Sequence, residues 1–269
     1  MLKPRVIPCL LVHGGGLVKT VSFGSPKYVG DPINVVRILN EKQVDELTIF
    51  DIDATVVGRE PDFRLIERLA AESRMPVCYG GGVSNREFAK RIIALGVEKV
   101  ALSAAAIKNP SLLSNIASDV GSQSVVGVID FRRDSGGRLS VWVHNGCDYT
   151  GHEVLEIALA FEQAGVGEIV LNSIDRDGKM SGYDLDAVGA VRGAVRIPLT
   201  VVGGAGSLDD IAALIDRFPL IGAGAGSLFM FKGPYKAVLV NYPTPAQKDA
   251  IFSGQHIPSG RSTHGRSYK

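Results

Sequence analysis

DELTIFDIDATVVG (45–58) and GEIVLNSIDRDGKM (167–180) decide the fold of this chain. Each is a β-rich run that closes in an acidic D-x-D turn. Further along, each half has a second apolar run ending in glycines, PVCYGGGVS (76–84) and PLTVVGGAGS (198–207). A third pair follows, KVALSAAAI (99–107) and LIGAGAGSLF (220–229). Duplicated strand–glycine–helix units predict a parallel barrel with two phosphate sites related by pseudo-symmetry.

Outside these pairs the same alternation continues. β-Branched runs fall near 5–12, 46–51, 76–79, 99–102, 125–130, 168–172, 199–203 and 220–223. Amphipathic segments lie between them, among them 32–44, 86–96 and 153–165, each with one apolar face. Strands alternating with helices imply a parallel sheet with right-handed crossovers. Eight such units with an internal two-fold repeat predict one closed (β/α)8 TIM barrel over 1–252, and 269 residues suit it. GLVKTVSF (16–23) and VWVHNG (141–146) read as hairpins. The basic, aperiodic stretch 253–269 reads as a disordered tail or an expression remnant.

Composition narrows the partners. The formal net charge is +1, so no strong field is available for nucleic acid or an anionic membrane. Cys9, Cys78 and Cys147 fit neither a zinc pattern nor a disulfide framework, which predicts a reducing cytoplasm and no metal. The apolar run near the N-terminus is short and broken by Pro8, and no run is long enough to span a bilayer. No cofactor is implied.

The glycine turns carry the first chemistry. GGG (80–82) and GGAG (203–206) let backbone N–H groups approach an anion closely. Ala225, Gly226 and Ser227 would open a short helix toward a phosphate, with Ser103, Ala104 and Ala105 as their symmetric partner. Two opposed sites imply a long ligand with phosphate at both ends; the competing reading is tight βα turns. Asp130 closes the otherwise apolar VVGVI and is expected to be partly desolvated and suited to acid/base work. Pairing with Arg132 or Arg133 is the alternative. Asp51 and Asp175 occupy matching places in the repeat, where organising the loops competes at least evenly with acid/base work. Lys19 lies in the early hairpin, where it could fold over an anionic substrate or simply be solvated. His13, His144 and His152 show no metal-ligand spacing, and Trp142 reads as packing.

Together RVIPCL (5–10), GDPINVVR (30–37), DELTIFDIDAT (45–55), GGGV (80–83), NPSLL (109–113), GSQSVVGVID (121–130), GEIVLNSIDRDGKMSGYD (167–184), GGAG (203–206) and AGSLF (225–229) resemble the HisF-like family. This is the cyclase subunit of imidazole glycerol phosphate synthase. The resemblance implies a glutaminase docked on the N-terminal face of the barrel. Ammonia would then cross the interior to a phosphorylated substrate at the C-terminal face. By position, Asp130 matches the catalytic aspartate of the fifth strand and Lys19 the loop lysine that covers the substrate. Gly81, Gly82, Ser103 and Ala104 fall at one phosphate site, and Asp177, Gly178, Gly204, Gly206, Gly226 and Ser227 at the other. Arg5, Glu46, Lys99 and Glu168 match a charged ring that would gate ammonia entry.

The chain departs from the family at the end of the first strand. The second catalytic aspartate of C-L-D-V is Leu11 here, in Cys9-Leu10-Leu11-Val12. Leucine is neither acid nor base, so cyclase chemistry is expected to be impaired while delivery is intact. IPCLL (7–11), LVKTV (17–21) and GPYKAVLVNYP (233–243) resemble a paralogous branch associated with acetamidino-sugar formation in surface polysaccharides. There a separate ATP-dependent sugar amidotransferase would use the ammonia. An active cyclase of histidine biosynthesis is the alternative. A scaffold that only docks a glutaminase and a bisphosphate isomerase are further readings, and Leu11 counts against the isomerase.

Overall fold

The structure is a computed structural model that describes residues 3–254. Most of the expected tail, residues 255–269, lies outside the described residues.

The first half runs β1 (Arg5–His13), the hairpin β2 (Gly16–Val21) and β3 (Gly24–Gly30), α1 (Pro32–Glu41), β4 (Leu47–Asp51), α2 (Phe63–Glu72), β5 (Val77–Gly80), α3 (Arg86–Ala94), β6 (Lys99–Leu102), α4 (Ala104–Lys108) and α5 (Ser111–Val120). The second half repeats this order. It runs β7 (Val125–Arg133), the hairpin β8 (Leu139–Val143) and β9 (Asp148–Glu153), α6 (Val154–Gln163), β10 (Glu168–Ser173), α7 (Leu185–Ala194), β11 (Leu199–Val202), α8 (Leu208–Arg217), β12 (Ile221–Ala225) and α9 (Ser227–Met230). A two-residue ribbon, β13 (Phe231–Lys232) and β14 (Ala237–Val238), then leads to α10 (Pro245–Phe252).

β1, β4, β5, β6, β7, β10, β11 and β12 pair in parallel in that order, and β12 closes back on β1. This is the expected (β/α)8 barrel. Both hairpins extend it at equivalent places. β2 pairs antiparallel with the end of β1, at Leu11 and Val18, and β8 with the end of β7, at Asp130 and Trp142. The two-fold repeat extends to single contacts. A Cβ on Gly81 would lie 2.4 Å from the Asp51 carbonyl oxygen, and one on Gly203 2.5 Å from that of Ser173. Both glycines have positive φ, +121° and +91°, so turn packing requires them whatever they bind.

Helices start where short polar side chains can cap them. Asp31, Asp62, Asn85, Asp184, Ser207 and Thr244 each accept a first-turn backbone N–H. Their apolar faces bury against the outward residues of the strands, such as Leu10, Ile49, Tyr79 and Leu171, and form the main core. Inward residues form a second, smaller cluster of Cys78, Ala101, Val126, Val128 and Val170, with Phe50 and Val202 against it. Because strand side chains alternate, each strand presents a different chemistry at three levels of the interior. On β10 these are Glu168, Val170 and Asn172; on β7, Val126, Val128 and Asp130 follow the same rule. The bottom level holds charged residues such as Glu168 beside Val126, the middle is apolar, and the top opens to the mouth. At about 3.3 Å per residue and the usual barrel tilt, Glu168 and Asn172 stand roughly 11 Å apart along the axis.

Candidate functional site

A cavity of about 620 Å³ occupies the C-terminal mouth. Its floor is the top level of the interior. Leu11, Phe50, Val128 and Val202 make it apolar, and Asp130 and Asn172 are its polar side chains. The Asn172 amide donates to Asp130 Oδ1 at 2.8 Å. Neither Arg132 nor Arg133 reaches that carboxyl. Arg132 lies over the Trp142 ring, and Arg133 forks onto Asp184. Burial pushes the Asp130 carboxyl up to about 7; the Asn172 bond opposes this and the Asp177 charge adds to it. Asp130 can therefore hold or release a proton near neutrality. Leu11, at the equivalent hairpin junction across the mouth, offers no second proton carrier.

Lys19 is neither solvated nor on a free loop. It lies within β2, is 4 % exposed, and donates from Nζ to the Cys9 carbonyl. Burial lowers it to about 8, against the opposing influence of Cys9 and Asp177. Asp177 fastens this hairpin down: it accepts from Thr20 Oγ1 at 2.6 Å and from the Phe23 N–H at 3.1 Å. Burial raises Asp177, while those two donors and Lys19 hold it back. Ser22 and Phe23 sit at positive φ, +50° and +65°, in the turn that these bonds close.

Two loop sets face each other across the cavity. Gly81, Gly82, Ser103 and Ala104 line one side; Asp177, Gly178, Gly204, Gly226 and Ser227 line the other. Ser103 Oγ is buried with no hydrogen-bond partner. Not every glycine amide is free. Gly82 N–H donates to Thr55 Oγ1. Gly206 does not line the cavity at all: its N–H donates to Asp210 Oδ2, the residue that completes the capping box of α8. Gly206 is thus a helix-entry residue.

Asp51 and Asp175 each hold a loop through hydrogen bonds. Both Asp51 carboxylate oxygens accept from Arg59, and Oδ1 also accepts the Asp53 and Ala54 N–H groups. Asp175 accepts the Arg133 N–H. His13, His144 and His152 each pair with a carboxylate, respectively Asp53, Asp148 and Glu156. His144 and Asn145 nevertheless reach the cavity, because Asn145 bridges from the β8–β9 turn to the Ile52 carbonyl. Nothing in the local sequence marks Asn172, Arg59 or Asn145 for the mouth. Period-two alternation from Glu168 is the signal that finds Asn172.

At the opposite end, Arg5, Glu46, Lys99 and Glu168 form a closed ring of ion pairs. Arg5 bridges Glu46 and Glu168, and Lys99 bridges the same two at 2.8 Å each. Thr200, which the sequence does not single out, adds a hydroxyl donated to Glu168 Oε1 at 2.5 Å. Burial would raise Glu168, but Arg5 and Lys99 outweigh it and hold it below the carboxylate range. The same balance raises Arg5 and Lys99 against their burial.

These features define a closed parallel barrel with a ring of ion pairs at one end, an apolar middle and a cavity at the other. The chain belongs to the histidine biosynthesis protein family, whose model matches residues 5–235. It is 51 % identical over 253 residues to the "Putative imidazole glycerol phosphate synthase subunit HisF" of Leptospira borgpetersenii, covering 94 % of this chain and all of that protein. It is 54 % identical to the similarly named subunit hisF3 of Vibrio vulnificus, covering 92 % of this chain and 96 % of the relative. Subunit hisF2 of Pseudomonas aeruginosa is 51 % identical, with 90 % and 97 % covered. Among the described residues no helix is long and apolar enough to cross a membrane.

Proposed function

We propose that this chain is the barrel subunit of a cytoplasmic glutamine-dependent amidotransferase system. A glutaminase docks over the N-terminal face, and ammonia passes the Arg5–Glu46–Lys99–Glu168 ring and the barrel interior to the C-terminal mouth. The acceptor is a nucleotide sugar that gains an acetamidino group for surface polysaccharide, through a separate ATP-dependent amidotransferase. The observation that carries this reading is Asp130 facing an apolar floor with Leu11 across the mouth. Delivery parts are complete and the acid–base pair is not. Physical chemistry suits the interior to ammonia. A neutral molecule crosses an apolar passage at little cost, whereas ammonium would lose its hydration there.

The chain mixed with its glutaminase, glutamine and the bisphosphate substrate of imidazole glycerol phosphate synthase should form little imidazole glycerol phosphate. Leu11→Asp should raise that rate. Turnover at ordinary enzymatic rates by the unaltered chain would refute the proposal. One observation favours an active cyclase instead. Asp130 near 7 and Lys19 near 8 put two proton carriers in one mouth. On that reading Lys19→Met removes the activity, and the chain supports growth of a histidine auxotroph.

A further inference from the structure

GPYKAVLVNYP (233–243) has no part in the mouth or the charged ring, yet the fold brings its first half to the rim. It forms the tip and return strand of the β13–β14 ribbon, directly after α9, whose Ser227 lines the cavity. The Lys27 ammonium of β3 lies over the Phe231 ring of that ribbon, 5.1 Å from its centroid. Lys27 is in register with Lys19 of β2, and Lys19 lines the cavity. The ribbon and the outer strand of the first hairpin therefore make one surface beside the mouth. That surface is cationic. Lys27, Lys232 and Lys236 are exposed, and among the described residues they are in no ion pair. Neither 14–30 nor 218–248 contains an aspartate or glutamate, although the whole chain balances 28 acids against 29 bases. It also offers apolar area: Val238 and Leu239 are about half exposed, and Tyr235 is 94 % exposed. Finally, it is held in place. The Lys236 N–H donates to the Gly233 carbonyl at 3.1 Å, closing a turn around Pro234 and Tyr235. The Leu239 and Asn241 N–H groups tie the return strand to the Met230 and Phe229 carbonyls at 3.0 and 2.9 Å. A two-stranded ribbon is marginal alone, so these bonds and the proline keep Tyr235 standing out from the surface.

We propose that this surface docks the enzyme that consumes the ammonia, through an acidic face with a pocket for the Tyr235 ring. The proposal rests on the chain being an ammonia-delivering subunit. Ammonia released into open water near neutrality takes up a proton, as amines do, and stops being a nucleophile. Delivery therefore needs the acceptor enzyme seated against the mouth, and this surface borders it. Three lysines with no carboxylate of their own steer and orient an acidic partner. A fixed, exposed tyrosine flanked by apolar side chains is the kind of anchor that carries most of an interface's energy.

Reconstitution of the full chain with its glutaminase and a sugar amidotransferase of the same genome tests it. The readout is ATP-dependent amidation of the nucleotide sugar, driven either by glutamine or by ammonium chloride. Tyr235→Ala should lower the glutamine-driven rate at limiting chain concentration at least about tenfold. The combined variant Lys27→Glu, Lys232→Glu, Lys236→Glu should do the same. The ammonium-driven rate should not change in either, and circular dichroism confirms that both are folded. Glutamine-driven rates that survive both variants overturn the surface and leave ammonia delivery standing. Self-association of the chain, or its sedimentation with phosphatidylglycerol vesicles, that the same variants abolish would assign the surface to a second copy or to a membrane and overturn the proposal too. If the unaltered chain passes no glutamine nitrogen to the amidotransferase, the delivery reading fails first, and the docking surface with it.

Discussion

Replacing Asp130 by asparagine should stabilise the protein, and only above acid pH. The carboxyl is pushed from its ordinary 3.8 up to about 7, chiefly by burial. A raised acid binds its proton more tightly folded than unfolded. Its burial therefore costs nothing below about pH 4, where both states are protonated. The cost grows as pH rises through the window from 3.8 to about 7, and is constant above it. At 1.36 kcal/mol per pH unit the gap amounts to roughly 4 kcal/mol, or about 2–3 allowing for access of water to the mouth. The substituted amide would keep an acceptor for the Asn172 amide and carry no charge. Urea unfolding followed by the single tryptophan, Trp142, across the range from acid to mildly alkaline pH gives the two stability curves. They should coincide near pH 4 and separate progressively, with D130N the more stable by about 2–4 kcal/mol near pH 8. Curves that run parallel across the whole range would show that Asp130 is not shifted. The acid–base reading of the mouth would fall with them.

Asn172→Leu removes a donor to the Asp130 carboxylate, so the Asp130 titration should move further up, read by carbon NMR of the labelled carboxyl. Glu168→Gln breaks two buried ion pairs at once and should cost roughly 3–5 kcal/mol in chemical unfolding at neutral pH. Glu168 is held below its ordinary 4.5, so its stabilisation is present above that pH and lost as pH falls below it; the Gln penalty should shrink in acid. Gly81→Ala and Gly203→Ala should each lower the melting temperature markedly, by similar amounts, since both place a Cβ within 2.5 Å of a carbonyl at positive φ. Phosphate affinity should weaken as pH rises through about 8, where Lys19 loses its charge, measured by titration calorimetry.

The barrel is legible in the sequence because its signals are local and repeated. Each expected strand begins within about one residue of the observed one, and both hairpins are present. Asp130 stands out in the sequence as the acid closing an apolar run, whereas the charged ring is reachable only through the family resemblance, its members being far apart in the chain. At Gly206 the sequence is silent, because a glycine after a strand looks the same whether it faces a ligand or a helix N-terminus. Only the Asp210 carboxylate, one helical turn on, separates the two. The sequence leaves Lys19 open between covering a ligand and being solvated, because nothing in LVKTV says which side of the hairpin faces the mouth. Closure of β2 onto β1 decides that.

The chain order alone determined the parallel barrel and its two-fold repeat, because periodicity is a property of a line; that Leu11 replaces an acid is what the family resemblance implies. Tertiary structure decided the rest. Closing the strands into a barrel brings residues far apart in the chain to the same level, as with Arg5 and Glu168 in the ring. The same closure removes water from around Asp130 and Lys19, and so sets the pH at which each can act.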